Sequence, residues 1–286
     1  MTERAEQLTT AAQSDWSINY LRRVSPRRVL TGALGILLVL GLVVVFANGN
    51  LEWSKTAQYL FDTRILNGVL YTIVYSVLAM VVGVVGGTVL AVAVMSANPV
   101  WRGLAHGYIS LFRSLPLLIL LLILYNIAIF LPRVSVGIPW TDAAYHVDVN
   151  SVVTPFLAAV LGLALHEAAY MAEIIRAGIN GVSGGQTQAA ESLGMTYGEG
   201  LRWVILPQAV RIIVPPTANQ FISMLKNTSL VVVIAGHDLL TVTKELYSQN
   251  FLTMELLFVA AIWYLVMVLL FSLGSRQVER RFSRGF

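Results

Sequence analysis

The sequence predicts an all-α, polytopic membrane protein of about six transmembrane helices, and three observations carry that expectation. The first is composition: of 286 residues, 57% are hydrophobic and 12% charged, at a mean hydropathy of +0.73. A soluble domain carries about 25% charged residues, and one core in water cannot hide this much apolar side chain. The second is that the apolar residues fall in stretches close to the roughly 20 residues that cross a bilayer. The third is that the basic residues segregate to alternate connections. Soluble enzymes, disordered chains and nucleic-acid binders are excluded. With no cysteine, so are disulfides, thiolate metal sites and thiol nucleophiles.

The chain opens with a polar tail, 1–28. The stretch 29–47 follows without a single charge. It exceeds the roughly 7–15 apolar residues of a secretory signal and lies behind a long leader, so a retained first helix is expected. Further apolar stretches cover 65–95, 116–131, 152–175, 210–234 and 256–273. The 65–95 stretch is too long for an upright span and is expected to tilt or project into water. The 116–131 stretch is short and is expected to start earlier, near Tyr108.

Charge fixes the expected orientation. With the N-terminus in the cytoplasm, fourteen arginines lie inside: 4, 22, 23, 27, 28, 102, 113, 176, 202, 211, 276, 280, 281 and 284. Only Lys55, Arg64, Arg133 and Lys244 lie outside, and Lys226 falls within a span. Both tails are therefore expected inside. The basic tail 276–286 is expected to sit at anionic lipid. The outer segment 132–151, with Pro132, Pro139 and Trp140, is either a plain connection or a surface for a partner.

The longest inner connection runs from Arg176 to Gln208. Ser183-Gly-Gly-Gln186 has the form of a capping box, and Gly194 suits the left-handed position that ends a helix. The spacing predicts a helix near 183–194, about 10 residues and roughly 15 Å long. Ala189, Ala190 and Leu193 give it a narrow apolar patch, and a helix this short needs a protein surface to lie against. That surface is either its own spans or a cytoplasmic partner.

Gln188-Ala-Ala190, Gly194 and Val204-Ile-Leu206-Pro207 together resemble the EAA motif of membrane subunits of ABC importers. Ala169-Tyr-Met-Ala-Glu-Ile-Ile-Arg176-Ala-Gly178, Pro215-Pro-Thr-Ala-Asn219-Gln-Phe-Ile-Ser223-Met-Leu-Lys226-Asn-Thr-Ser229, Asn67-Gly-Val-Leu-Tyr-Thr72 and Phe112-Arg-Ser-Leu-Pro116 are similar to permeases of the polar amino acid uptake family. The resemblance covers a core of 60–275 and leaves helix 29–47 outside it. It departs at Gln188, where the motif has Glu, and at Ser114-Leu115, where the family has Gly-Thr.

The resemblance implies a type I ABC importer permease bundle in a bacterial inner membrane, with no chemistry and no cofactor of its own. It implies two ATP-binding subunits holding ATP and Mg, a second permease (identical or paralogous), an extracytoplasmic solute-binding protein and an amino acid substrate. It also implies that Gln188, Ala189, Ala190, Leu193, Gly194, Leu206 and Pro207 couple to the ATPase. Val182-Ser-Gly-Gly-Gln186 imitates the signature loop of ABC ATPases, but the chain has no G-x-x-x-x-G-K-[ST] phosphate loop. An importer of another small polar solute and an ion-driven secondary transporter are the rival readings.

Ionisable and polar residues at membrane depth are costly and often functional. His166-Glu167 starts like a zinc-protease motif but lacks the second His, position 170 being Tyr, so no metal is expected. Glu173 is expected to pair with Arg176. Glu167 is expected to face the bundle interior, offset by His166, Lys226 or Asn227, either recognising a substrate ammonium or locking helices together. Asn219, Lys226, Asn227 and Thr228, near an expected break at Pro215-Pro216, are further path candidates, as is Asn126. Gly83 and Gly87 are spaced for close helix packing.

Overall fold

The structure is a computed structural model that describes residues 26–47, 49, 51–137 and 144–282. Two compact units divide the chain, Met1–Leu51 and Glu52–Phe286. Expectations for the tail 1–25, for Pro139 and Trp140, and for Arg284 lie outside the described residues.

The first unit contributes α1, Pro26–Ala47. Leu30, Leu34, Leu37 and Leu38 are all exposed. An apolar helix without a polar face suits a lipid surrounding.

In the second unit, α2 (Trp53–Leu60) precedes α3 (Thr63–Met95), whose 33 residues span roughly 50 Å. Asp62 caps α3 by accepting the Arg64 N–H at 2.8 Å. The next apolar stretch is not one straight helix. α4 (Pro99–Ser114) and α5 (Leu117–Tyr125) meet at 103°, because Pro116 cannot continue the helix that precedes it. After the short α6 (Ile127–Phe130), strands β1 (Arg133–Gly137) and β2 (Ala144–Asp148) pair antiparallel, Arg133 opposite Asp148. This hairpin is the one departure from an all-α fold among the described residues.

One turn, α7 (Val149–Val152), leads into α8 (Pro155–Asn180), which Thr154 caps. Then come α9 (Gly184–Ser192), α10 (Tyr197–Gly200), a π-helical turn over Leu201–Ile205, and α11 (Leu206–Asn227). A 3-10 segment (Thr228–Ile234), α12 (Leu239–Asn250) and α13 (Thr253–Phe282) complete the chain. Among the described residues three helices, α3, α8 and α13, are long and apolar enough to cross a membrane, and up to five spans result if each bent pair counts as one.

The expected break at Pro215-Pro216 is absent: α11 runs through both prolines. Each proline removes a helix donor, at the Arg211 and Ile212 carbonyls four residues earlier, a loss that membrane helices tolerate. The chain departs from α-helix beyond the prolines instead, at Thr228.

The bundle is organised around α3 and α8, which run parallel because glycines let them meet. A Cβ on Gly83 would lie 2.7 Å from Glu167 Cγ, and one on Gly87 would lie 2.5 Å from Met171 Cβ and 2.9 Å from the Ala172 nitrogen. α11 returns antiparallel to α8, with Gly178 against Ile213. α13 closes on α11 through Phe221 and Phe271, ring centroids 4.9 Å apart. Val81, Val85, Val89 and Val92 form an exposed ridge on α3. Apolar ridges facing outward and small residues facing inward are the arrangement expected where the solvent is lipid.

Candidate functional site

The segment joining α8 to α11 is a folded hairpin at the end of the bundle where α3 and α13 also terminate. That end carries Arg176, Arg202, Arg276, Arg280 and Arg281. Ser183 precedes α9 as its cap residue, but its side chain makes no capping hydrogen bond, so the expected capping box at Ser183–Gln186 does not form. Gln186 is used elsewhere: its Oε1 accepts from Gln208 Nε2 at 3.3 Å, and Gln208 also donates to Val204 O at 2.9 Å. The capping box forms one element later. Thr196 Oγ1 accepts the Glu199 N–H at 3.4 Å, and Glu199 accepts the Thr196 N–H at 2.8 Å. Those bonds from the Thr196 backbone and hydroxyl hold the Glu199 carboxyl below its ordinary pKa.

α9 ends as the sequence predicts. Gly194 adopts φ +74°, and the following Met195 N–H reaches back to Ala190 O at 3.1 Å, a C-terminal turn that favours glycine. The apolar patch is split rather than continuous. Ala190 is 4% exposed and faces back, 3.4 Å from where a Cβ on Gly200 would sit. Gln188, Ala189 and Leu193 face outward, Leu193 being 79% exposed, with Tyr197 and Trp203 also exposed nearby. Leu206 and Pro207 are exposed at the start of α11.

The polar residues of the spans do not converge on one point. Glu167 is fully buried on α8, and its Oε2 accepts from Gln220 Nε2 of α11 at 3.2 Å. Its Oε1 has no hydrogen-bond partner among the described residues. The partner is thus Gln220, which the sequence reading passed over, and not His166, Lys226 or Asn227. Gln220 points along the face toward α8, whereas the adjacent Asn219 turns to α13, donating to Glu279 at 3.2 Å and accepting from Ser275 at 3.3 Å. A helix separates successive residues by about 100°, so neighbours in sequence serve different walls.

His166 stacks on Tyr170 at 4.9 Å and its Nδ1 lies 3.2 Å from Phe112 O. Arg113 sits over the same Tyr170 ring at 5.3 Å. Lys226 is exposed at the end of α11, Asn227 is half-buried, and the buried Thr228 donates locally to Leu225 O at 2.7 Å. Asn126 caps the end of α5, exposed, its amide donating to Leu122 O at 2.8 Å. Glu173 and Arg176 pair at 2.6 Å as expected.

A second polar cluster was missed. Asp238 is fully buried and caps α12 through the Leu240 and Thr241 N–H groups at 3.0 and 3.3 Å. Thr72 Oγ1 accepts the Leu239 N–H at 3.1 Å, and the Tyr75 hydroxyl donates to Gly236 O. An Asp three residues before a Thr at a helix start was the available signal.

Residues 83–284 match the family described as the inner membrane component of binding-protein-dependent transport systems. The chain belongs to that family. Among its relatives, the arginine transport system permease protein ArgU of Corynebacterium glutamicum is 39% identical over 91% of this chain and 81% of its own length. The probable glutamine ABC transporter permease protein GlnM of Bacillus subtilis is 31% identical over 79% of this chain and 98% of its own. A crystal structure of an amino acid ABC transporter with histidines superposes at a TM-score of 0.70, with 34% identity, over 82% of this chain and all of that one. An inward-facing MetNI methionine ABC transporter, at 16% identity and TM-score 0.59, shares the fold. As a member of this family the protein is a multi-pass transport component, and the 83–284 match covers α8, the α9 hairpin and α11 in full.

Proposed function

We propose that this chain is the membrane-spanning permease subunit of an ATP-driven importer of polar amino acids. The substrate class is carried over from relatives named for arginine, glutamine, and glutamate or aspartate. The observation that carries the coupling role is the capped hairpin with an outward Leu193 at the arginine-rich end. The positive-inside rule assigns that end to the cytoplasm of an inner membrane, with both termini on the same side.

Two ATP-binding subunits holding ATP and Mg would receive Gln188, Ala189 and Leu193 in a surface cleft. A second permease, identical or paralogous, would complete the path, and a solute-binding protein would deliver the amino acid from outside. The chain itself hydrolyses nothing. Coupling needs a rigid element placed differently in two states, and α9 meets that need. It follows α8 after the short turn 181–183 on one side, and on the other it is bound to α11 through Gln186 and Gln208. Displacing α9 would shift α8 against α11, the pair bridged by Glu167 and Gln220.

The test is co-purification from membranes followed by ATPase assays with candidate amino acids and the binding protein. Amino-acid-stimulated hydrolysis in a complex containing this chain supports the reading. A chain that purifies without a nucleotide hydrolase and still transports contradicts it.

A further inference from the structure

We propose that the groove between α3 and α12 is a holding site for a zwitterionic amino acid, with Arg64 taking its carboxylate and Glu245 its ammonium. The inference rests on the function proposed above and adds to it a place where the substrate is met. The groove is a cavity of about 350 Å³, near the lower end of small-molecule sites.

Its shape follows from two helix stripes. α3 presents Arg64, Asn67, Gly68 and Tyr71, spaced as one helix face. α12 presents Val242, Glu245, Leu246 and Gln249 at the same spacing. Gly68 sets the closest approach, since a Cβ there would lie 2.9 Å from Leu239 Cα. Beyond that contact the helices leave an open groove.

The wall is held before any ligand arrives. Asp238 caps α12, Thr72 accepts the Leu239 N–H, and Tyr75 bonds the Gly236 carbonyl. Such preorganisation lowers the ordering cost of binding. Asp238 is consumed by these bonds and buried, so it is not the groove's anion.

Glu245 is. Among the described residues it forms no ion pair, and it stands exposed on the groove. Arg64 uses Nε and Nη2 on Asp62 at 3.1 and 2.9 Å, and among the described residues its other guanidinium N–H groups meet no acceptor. A single small cavity lined by one guanidinium and one carboxylate, with Asn67, Gln249 and the imidazole of His237 as further polar partners, matches a molecule that carries both charges. Tyr71, Val242 and Leu246 offer apolar surface to its carbon stem.

The experiment uses the full transporter, permease with its ATPase and binding protein, in nanodiscs and in proteoliposomes. Radiolabelled arginine, glutamine and glutamate serve as probes, with decarboxylated and deaminated analogues as competitors. The wild-type complex should bind at least one probe without the binding protein, and neither analogue should displace it well. Glu245→Gln and Arg64→Gln should each weaken that binding at least tenfold and slow uptake, with affinity for the loaded binding protein unchanged. Lys244→Gln, next in sequence but off this cavity, should match wild type.

Variants that bind and transport normally while the wild type imports amino acids would overturn the site and leave the transport reading intact. Variants that lose affinity for the binding protein instead would make the groove its docking surface, which also overturns the site. A wild-type complex that imports none of the probes would overturn the transport reading, and this inference with it.

Discussion

At the scale of single residues, the account turns on where a side chain has room. Gly87 has none: a methyl group there meets Met171 Cβ at 2.5 Å and backbone at 2.9 Å. Gly87→Ala is expected to destabilise the detergent-solubilised protein by about 1–3 kcal/mol, read as a lowered unfolding temperature. Gly103→Ala, with nothing within 4 Å on α4, should leave that temperature unchanged or raise it slightly. Glu167→Gln keeps an oxygen for Gln220 and should unfold near the wild-type temperature. Glu167→Ala leaves a void and an unpartnered Gln220, which costs roughly 1–3 kcal/mol for the amide alone. The spacing of Gly83 and Gly87 made the packing legible from sequence. The identity of the helix they pack on, and the choice of Gln220 over Lys226, were not, because both depend on the relative rotation of α8 and α11.

At the scale of elements, the hairpin between α8 and α11 was legible as a helix with its left-handed stop, and misread in its start. A Ser three residues before a Gln suggests a box, yet Gln186 is drawn to Gln208, which lies 22 positions away. That attraction is tertiary and invisible in a local window. The Thr196–Glu199 box makes a pH prediction. A carboxylate whose pKa is lowered by folding stabilises the fold above its unfolded value and loses that contribution as pH falls through the folded one. The hairpin should therefore become more susceptible to limited proteolysis below the ordinary glutamate value of 4.5, and Glu199→Gln should remove that dependence. Gly194→Asp forces a side chain into the left-handed backbone where space is open. It is expected to leave the complex assembled while transport-coupled ATP turnover falls sharply. Unchanged coupling would remove α9 from the proposed route.

At the scale of the whole molecule, composition alone predicted a membrane bundle, because apolar surface this extensive has no place in water. The straightness of the spans was not predictable from hydropathy, which does not register direction. The 116–131 stretch reads as a span and folds as part of a 103° bend, and 276–286 reads as a tail yet continues α13 to Phe282. The β hairpin at 133–148 escaped notice because its strands are only five residues each. What unites the scales is the proposed route: an outward hairpin that follows α8 after the turn 181–183 and is tied to α11 through Gln186 and Gln208.

The chain has no cysteine, so Leu193→Cys would carry its sole thiol. Crosslinking from that position in the intact complex, with and without ATP, tests the route most directly. The account predicts a crosslink to the nucleotide-hydrolysing subunit whose yield changes between the two conditions. A thiol that never reaches that subunit, in a complex still transporting its substrate, would contradict it.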